Sequence, residues 1–385
     1  MNWKKWTVRI LSYILVAVLA SAVTLFAWAG KATGVDKLTQ LQSVIDQYFV
    51  GEADMAVAQD MAAAAMVYAL GDEWSYYVPA SEVSGYQETK DNSYVGIGVT
   101  IAVREDGIGI DIKGVALGGA AEAAGVLPGD ILIKVDGQSI AGKTIDQVRA
   151  LVTGEENTEV TLVFLRELTE KTITLKRQKT VVATGRMLEG NVGYVRINNF
   201  NAGCADETLA AIKQLQEQGA TKLIFDVRNN PGGYADEMIK VLDYLLPKGV
   251  LFCQEDYRGN RHETTSDEAC LELPMAVLVN GDSYSAAEFF AAALQEYEWA
   301  GVVGEKTSGK GYYQIPITLS DGSVVNLSVG KYFTPKGVNL TEVDGLSPDV
   351  TVAVDKEIAE KIAVNGISLT DDPQIQAAIA TLQGK

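Results

Sequence analysis

The chain has 385 residues, 47% of them hydrophobic and 21% charged, with a formal net charge of −18 at neutral pH. That is ordinary globular composition, and its length suits two or three domains. The acidic balance, with no basic stripe, excludes nucleic acid as a partner, and no tract is biased or periodic enough for a low-complexity or repeat protein.

The first element is apolar. Lys4, Lys5 and Arg9 precede residues 10–29, ILSYILVAVLASAVTLFAWA, which carry no charge. Twenty apolar residues match the thickness of a bilayer core, and the basic flank places residues 1–9 in the cytoplasm. A single-pass anchor with an extracytoplasmic remainder is the expectation. Ala27-Trp28-Ala29 also reads like a cleavage site, so a removed signal peptide and a secreted chain is the alternative. Residues 30–90 follow as a helical region: LTQLQSVIDQYF and MAVAQDMAAAAMVYAL space their apolar residues by three and four. GDEWSYYVPASE breaks the pattern with glycine, proline and aromatics.

From residue 91 the period changes. GIGVTIAV, GIGIDIKGV, ILIKVDG, EVTLVFLR and KTITLKR are short strands rich in Val and Ile. GAAEAAG and TIDQVRALV interrupt them as helices. Residues 91–178 therefore predict a small β-rich domain that can fold alone. Residues 179–355 alternate strand and helix: NVGYVRINNF, DETLAAIKQLQEQG, KLIFDVRNN, YADEMIKVLDYLL, MAVLVN, SAAEFFAAALQEY, AGVVGEK. This order implies a mainly parallel α/β sheet covered by helices. YYQIPITLS and SVVNLSVGKYFTP read as antiparallel pieces at its edge. Residues 356–385 form a helical tail. Residues 35–70 and 372–383 are candidate contacts of a homodimer.

Three stretches of the larger domain carry chemistry. In NGDSYSAAE, Ser285 falls at the first turn of a helix, where free N–H groups and the positive dipole end gather. A serine there, like Ser283, is also an ordinary helix cap. In GEKTSGKGYYQ, Lys310 sits between Gly309 and Gly311 after a strand. A buried lysine loses basicity, because burial disfavours the cation, and a neutral lysine can take a serine proton. In DVRNNPGGYADE, Pro231-Gly232-Gly233 exposes backbone N–H groups at the carboxyl end of a strand, where α/β sheets bind ligands. Asp226 and Arg228 read as anchors of that turn. The single histidine, His262, lies in DYRGNRHETTSDE, which reads as a polar loop, and is expected on the surface. Lys306, outside the glycine turn, is expected to be exposed. Cys253 and Cys270 flank the polar stretch and would pair in an oxidising compartment, or stand with Cys204 as tolerated thiols. No grouping has metal-ligand spacing, so no metal or other cofactor is expected.

Taken together and in order, these stretches resemble the C-terminal processing peptidases, or tail-specific proteases, over nearly the whole exported chain. LGDEWSYY, GIGV, LPGDILIKVDGQSI, RNNPGG, NGDSYSAAE, VVGEKTSGKG and YFTPKGVNL…GLSPDVTV carry the resemblance. It implies a crotonase/ClpP-like α/β core with an inserted PDZ domain, and a serine endopeptidase acting through a Ser/Lys dyad and an acyl-enzyme. Ser285 would be the nucleophile, Lys310 the base and Gln314 the residue orienting the lysine. The N–H groups of Ala286 and of Gly232 or Gly233 would hold the oxyanion. Gly96, Ile97, Gly98 and Val99 would capture the terminal carboxylate of protein or peptide substrates with apolar C-terminal tails, the peptide adding as a strand, so that the domain would either hold a substrate tail or gate access to Ser285. Departures are Ala287 for a small hydroxyl residue, Ser308 for an aromatic, and Asp72-Glu73-Trp74 without a proline. Ser308 bears on how Lys310 is shielded. A catalytically silent PDZ adaptor outside the cell and a crotonase-like acyl-CoA enzyme are the alternatives.

Overall fold

A computed structural model describes residues 37–383. The expected membrane segment at residues 10–29 lies outside them, and among the described residues no helix is long and apolar enough to cross a membrane. The chain divides into two compact units, one reaching Ala63 and the other starting at Ala64. The described part of the first unit holds the helix Lys37–Tyr48 and the start of Met55–Tyr68, and neither helix buries a residue.

In the second unit, a six-stranded sheet carries the core. Its order is Ala183–Leu188, Val192–Ile197, Lys222–Asp226, Met275–Val279, Ala300–Gly304, Val350–Thr351, antiparallel in the first pair and parallel thereafter. All five residues of Met275–Val279 are buried. A strand covered on both faces reads as an unbroken apolar run rather than an alternating one. Met275, Val277 and Val279 face a core built with the helices Cys204–Glu217, Ala235–Leu245 and Ala286–Glu296. Ala276 and Leu278 face Ile375, Ala378 and Leu382 of the helix Pro373–Gln383. That last helix, a candidate dimer contact by sequence, covers the chain's own sheet with this face.

A second sheet corrects the expected edge strands. Tyr312–Thr318 and Val324–Phe333 pair with each other, as their pattern suggested, but they do not border the parallel sheet. They join Gly249–Asp256, Arg261–Ser266 and Tyr76–Val78 in an antiparallel sheet of their own. His262 is thus on a strand, not in a loop; five of that strand's six residues are exposed, which hides its period. The aromatic run after Gly71 is the strand Tyr76–Val78. All three cysteines are free.

The small domain is a six-stranded antiparallel sheet reaching from Val99–Val103 to Thr169–Lys176, with the helices Ala120–Ala123 and Ile145–Val152. Its own core centres on Ile112, Leu132, Val148, Leu162 and Phe164. Where it leaves and rejoins the larger domain, Val95–Gly96 pairs with Gln178–Lys179. An Arg186–Glu122 ion pair and the close approach of Val364 O to Gly114 dock it.

The helix Pro373–Gln383 seals one face of the parallel sheet, so truncating its buried anchor should be costly. Ile375→Ala is expected to lower stability by about 2–5 kcal/mol, the usual range for emptying such a site. A urea midpoint unchanged from the parent would show that this helix does not hold the sheet.

Candidate active site

Three neighbouring parallel strands end on the same edge, and each releases one of the loops singled out in the sequence. Lys222–Asp226 runs into Val227–Gly233, Met275–Val279 into Asn280–Ser285, and Ala300–Gly304 into Glu305–Gly311. Hydrogen bonds stitch these loops together. The Ser283 hydroxyl donates to Val227 O at 2.7 Å and accepts from Asn280 N. Tyr284 N donates to Asn230 O and Ser308 N to Ser283 O. Ser283 is therefore a buried clamp.

Ser285 stands at the start of Ala286–Glu296 with φ 59° and ψ −128°. A serine with positive φ is strained and needs its surroundings to hold it there. Glu288 does much of the holding. Its carboxylate is fully buried and accepts from four donors: Ser285 N at 2.8 Å, Thr307 Oγ1 at 2.5 Å, Gly309 N at 2.7 Å and Lys310 N at 2.9 Å. Burial raises its pKa above the ordinary value, against the pull of those four hydrogen bonds. Glu288 thus ties the Ser285 turn to the Lys310 loop. The serine-x-x-glutamate spacing, a capping-box signature, was the available signal for it in the sequence.

Ser285 and Lys310 line one cavity of about 160 Å3 with Gly233, Tyr234, Gln314 and Lys90. Burial, and then the neighbouring charge of Lys90, bring the Lys310 pKa down to about 8, while Asp72, Glu288 and Glu73 oppose the shift. The Lys310 ammonium lies over the Trp74 indole, 4.7 Å from the ring centroid, and Trp74 packs against Tyr284. Trp74 had no expected role in the site. It supplies the aromatic cover that Ser308, which is exposed, does not.

Gln314 and the two glycines differ in what they offer the site. Gln314 shares the cavity, but its amide donates to Ser328 Oγ at 2.9 Å and to Tyr312 O, not to Lys310. A register shift between Tyr313 and Gln314 places it opposite Ser328. Gly232 N–H is occupied by Asn230 Oδ1 at 2.8 Å. Gly232 matters by its size instead: with φ +82°, a Cβ there would meet Ser285 Cβ at 2.8 Å. Gly233, at φ +153°, lies against the Phe200 backbone. Ala286 N and Gly233 N have no backbone or side-chain acceptor among the described residues, so these two N–H groups are the ones left to hold an oxyanion.

The remaining predicted residues fall outside this cavity. Lys306 is half-exposed and pairs with Asp344 at 2.7 Å. Asp226 is a buried anchor, bonded to Arg196, Arg228 and Tyr194, and the two guanidiniums overcome its burial to keep it well below the usual carboxylate range. Arg228 reaches on to Asp372, just before the last helix, and to Gln374 in its first turn. Gly96, Ile97, Gly98 and Val99 border a separate groove of about 440 Å3, whose opposite wall includes Ile145, Arg149 and Val152.

Removing the Glu288 carboxylate leaves buried donors from two loops unpaired, at ~1–3 kcal/mol for each such group. Glu288→Ala should therefore lose at least about 3 kcal/mol of stability, and Glu288→Gln, which keeps one acceptor oxygen, should lose less. Thermal melts followed by circular dichroism check this; equal melting of parent and Glu288→Ala would refute the tie.

Comparison with known proteins identifies both parts of the second unit. Residues 191–352 match the model for Peptidase family S41 and residues 112–166 that for a PDZ domain. A Staphylococcus aureus (strain COL) protein named "Probable CtpA-like serine protease" is 33% identical over 370 residues, covering 92% of this chain and 74% of the relative. A Staphylococcus epidermidis protein of the same name is 34% identical, covering 76% of this chain and 60% of the relative. An S41 protease structure from Bacteroides fragilis, 19% identical, superposes with a TM-score of 0.54 over 76% of this chain and 83% of that one, a likeness of fold.

Proposed function

Because the chain belongs to the S41 family of C-terminal processing peptidases, serine proteases that here carry a PDZ domain, we propose that it cleaves exported proteins through a Ser285/Lys310 dyad. The observation that carries this reading is Lys310, brought by burial to a pKa of about 8 in the cavity that Ser285 lines. An ordinary lysine, at ~10.4, would be charged and useless as a base at neutral pH.

The steps follow from the groups present. Lys310 Nζ, neutral, turns from the Trp74 face toward Ser285 and takes the Oγ proton. Oγ attacks the substrate carbonyl carbon. The N–H groups of Ala286 and Gly233 hold the oxyanion, a type of stabilisation that acts where charge develops. The Lys310 ammonium then gives its proton to the leaving amine, and an acyl-enzyme remains on Ser285. Water, deprotonated by Lys310, attacks the ester carbonyl, and the same two N–H groups hold the second oxyanion. On its collapse the acyl–Oγ bond breaks, Lys310 returns the proton to Ser285 Oγ and the new C-terminal acid leaves.

Substrate recognition is assigned to the PDZ groove. Its floor and wall, Ile97, Ile101, Ile145 and Val152, are apolar, which suits a peptide tail ending in an apolar residue and a free carboxylate. Residues 10–29 would hold the enzyme at the membrane with this groove outside the cell. The silent-adaptor alternative is separated by incubating a tail-bearing unfolded protein with the parent and with Ser285→Ala: a peptidase cleaves it and the variant only binds it.

Lys310→Ala should lose at least ~10²-fold in kcat, the cost of removing a general base, while Lys306→Ala, whose partner Asp344 is on the surface, keeps parent activity. Retention of more than about a tenth of kcat by Lys310→Ala would contradict the dyad.

The pH dependence has a definite sign. The base works unprotonated, so kcat/KM should rise with pH through the Lys310 pKa of about 8 and stay high above it. A Ser/His enzyme rises near ~6.5. His262→Ala, on the exposed strand Arg261–Ser266, should leave the profile in place. A rise centred near 6.5 that disappears in His262→Ala is the result that overturns the assignment.

A further inference from the structure

The dyad leaves one cation of the cavity without a task. Lys90 ends the helix Val83–Lys90 and lines the same cavity as Ser285 and Lys310. It belongs to none of the stretches that carry the family resemblance. Its ammonium lies 5.9 Å from the Tyr86 ring centroid, and no carboxylate among the described residues acts on it, so burial alone lowers its pKa. The end of its helix is fixed to the larger domain. Ala202 N donates to Lys90 O at 3.2 Å, Asn201 Nδ2 to Thr89 O at 3.0 Å, and Asn92 Nδ2 to Ala202 O at 2.9 Å. A partly buried ammonium on a cavity wall whose backbone is fixed calls for a reason, since taking a cation out of water is costly.

We propose that Lys90 is a positioning residue for the dyad: a second ammonium whose charge keeps Lys310 in its neutral, proton-accepting form. This rests on Lys310 being the base. Two like charges in one poorly solvated cavity cannot both ionise cheaply, and a neighbouring cation is a recognised way to activate a lysine. The other charged groups facing Lys310 act in the opposite sense. Asp72 and Glu73, from the segment before Tyr76–Val78, and Glu288, beneath the loop, all favour the ammonium. Burial holds the phenols of Tyr76, Tyr234, Tyr313 and Tyr332 above their ordinary value, so they stay neutral through the working range. Lys90 is the cation that offsets the three carboxylates. After burial, it is the largest influence on Lys310.

The test compares pH profiles of kcat/KM for the full-length parent, Lys90→Met, Lys90→Arg and Lys310→Ala, on one tail-bearing unfolded protein. Lys90→Met keeps an apolar stem and loses the charge. Its acidic limb should move to higher pH by at least roughly 0.5 unit. Below the limb that is a loss of about 3-fold, with the alkaline plateau kept. Lys90→Arg retains the charge and should follow the parent limb. Three results would overturn the inference: an unmoved limb in Lys90→Met, a lowered plateau without a moved limb, or Lys90→Arg behaving like Lys90→Met. Circular dichroism of each variant separates misfolding from these outcomes, and if Lys90→Met does not fold, the limb of Lys90→Arg still decides: a shift there sinks the idea. Failure of the dyad itself would appear elsewhere, as surviving activity in Lys310→Ala.

Discussion

One buried carboxylate holds the site together. Glu288 sits on the first turn of Ala286–Glu296, yet two of its four hydrogen bonds go to backbone N–H groups of the lysine loop and a third to Thr307. The fourth goes to Ser285 N. Ser285 occupies a backbone region that a serine avoids, and the loop bearing Lys310 contains φ +90° at Gly309, where Gly345 N and the Asp344 carbonyl carbon crowd the space a Cβ would need. The first is unfavourable locally, and the second is open only to a glycine. Each is tolerable because the same pair of oxygen atoms satisfies both segments. The serine and the lysine are far apart in sequence, and their common fixed point is this side chain.

The electrostatics follow from that arrangement. A carboxylate directly under the lysine loop favours a charged lysine, which is the wrong state for a base. Desolvation opposes it, with Trp74 closing one side of the ammonium and the cavity wall the other. Trp74 is itself kept in place by Asp72, which accepts from Trp74 N and from the Ser75 hydroxyl. The Ser75 oxygen in turn accepts from Ser328 N, and Ser328 Oγ accepts from Gln314. Gln314, which shares the cavity with the lysine, is thus also linked through this chain to the indole beneath it.

Much of this was legible from residue patterns. The parallel strands announce themselves as unbroken apolar runs, and the loops after them as glycine, asparagine and proline turns. That Ser285 and Lys310 come to line one cavity was legible by resemblance to a known family and by the shortage of histidine, not by periodicity. What could not be read was contact between distant segments. The strand Arg261–Ser266 exposes nearly every side chain, so no alternation marks it. The second sheet gathers Tyr76–Val78 from one end of the chain and Val324–Phe333 from the other, and no local pattern encodes that pairing. The orientation of Gln314 turns on a one-residue register shift, which moves a side chain to the other face of a strand. Lys90, which lines the cavity, and Trp74, whose ring lies beneath the Lys310 ammonium, are on the amino-terminal side of the PDZ domain, so only the folded chain shows their place beside the lysine.

The four-residue ladder at the base of the PDZ domain has a consequence for how the molecule is assembled. Thr180 N donates to Tyr94 O at 3.0 Å, just below the pairing of Val95–Gly96 with Gln178–Lys179. To the peptidase core, everything between those two points is a closed loop whose ends already touch. The entropy of bringing the ends together grows only logarithmically with what lies between them. The intervening domain has its own core, so its ordering is settled internally. A tight turn joining residues 94 and 180 would satisfy the same geometry. In architectural terms the domain is a cassette: an insert whose length the closure of the core does not depend on, fastened beyond the ladder by the Arg186–Glu122 pair and by Val364 against Gly114.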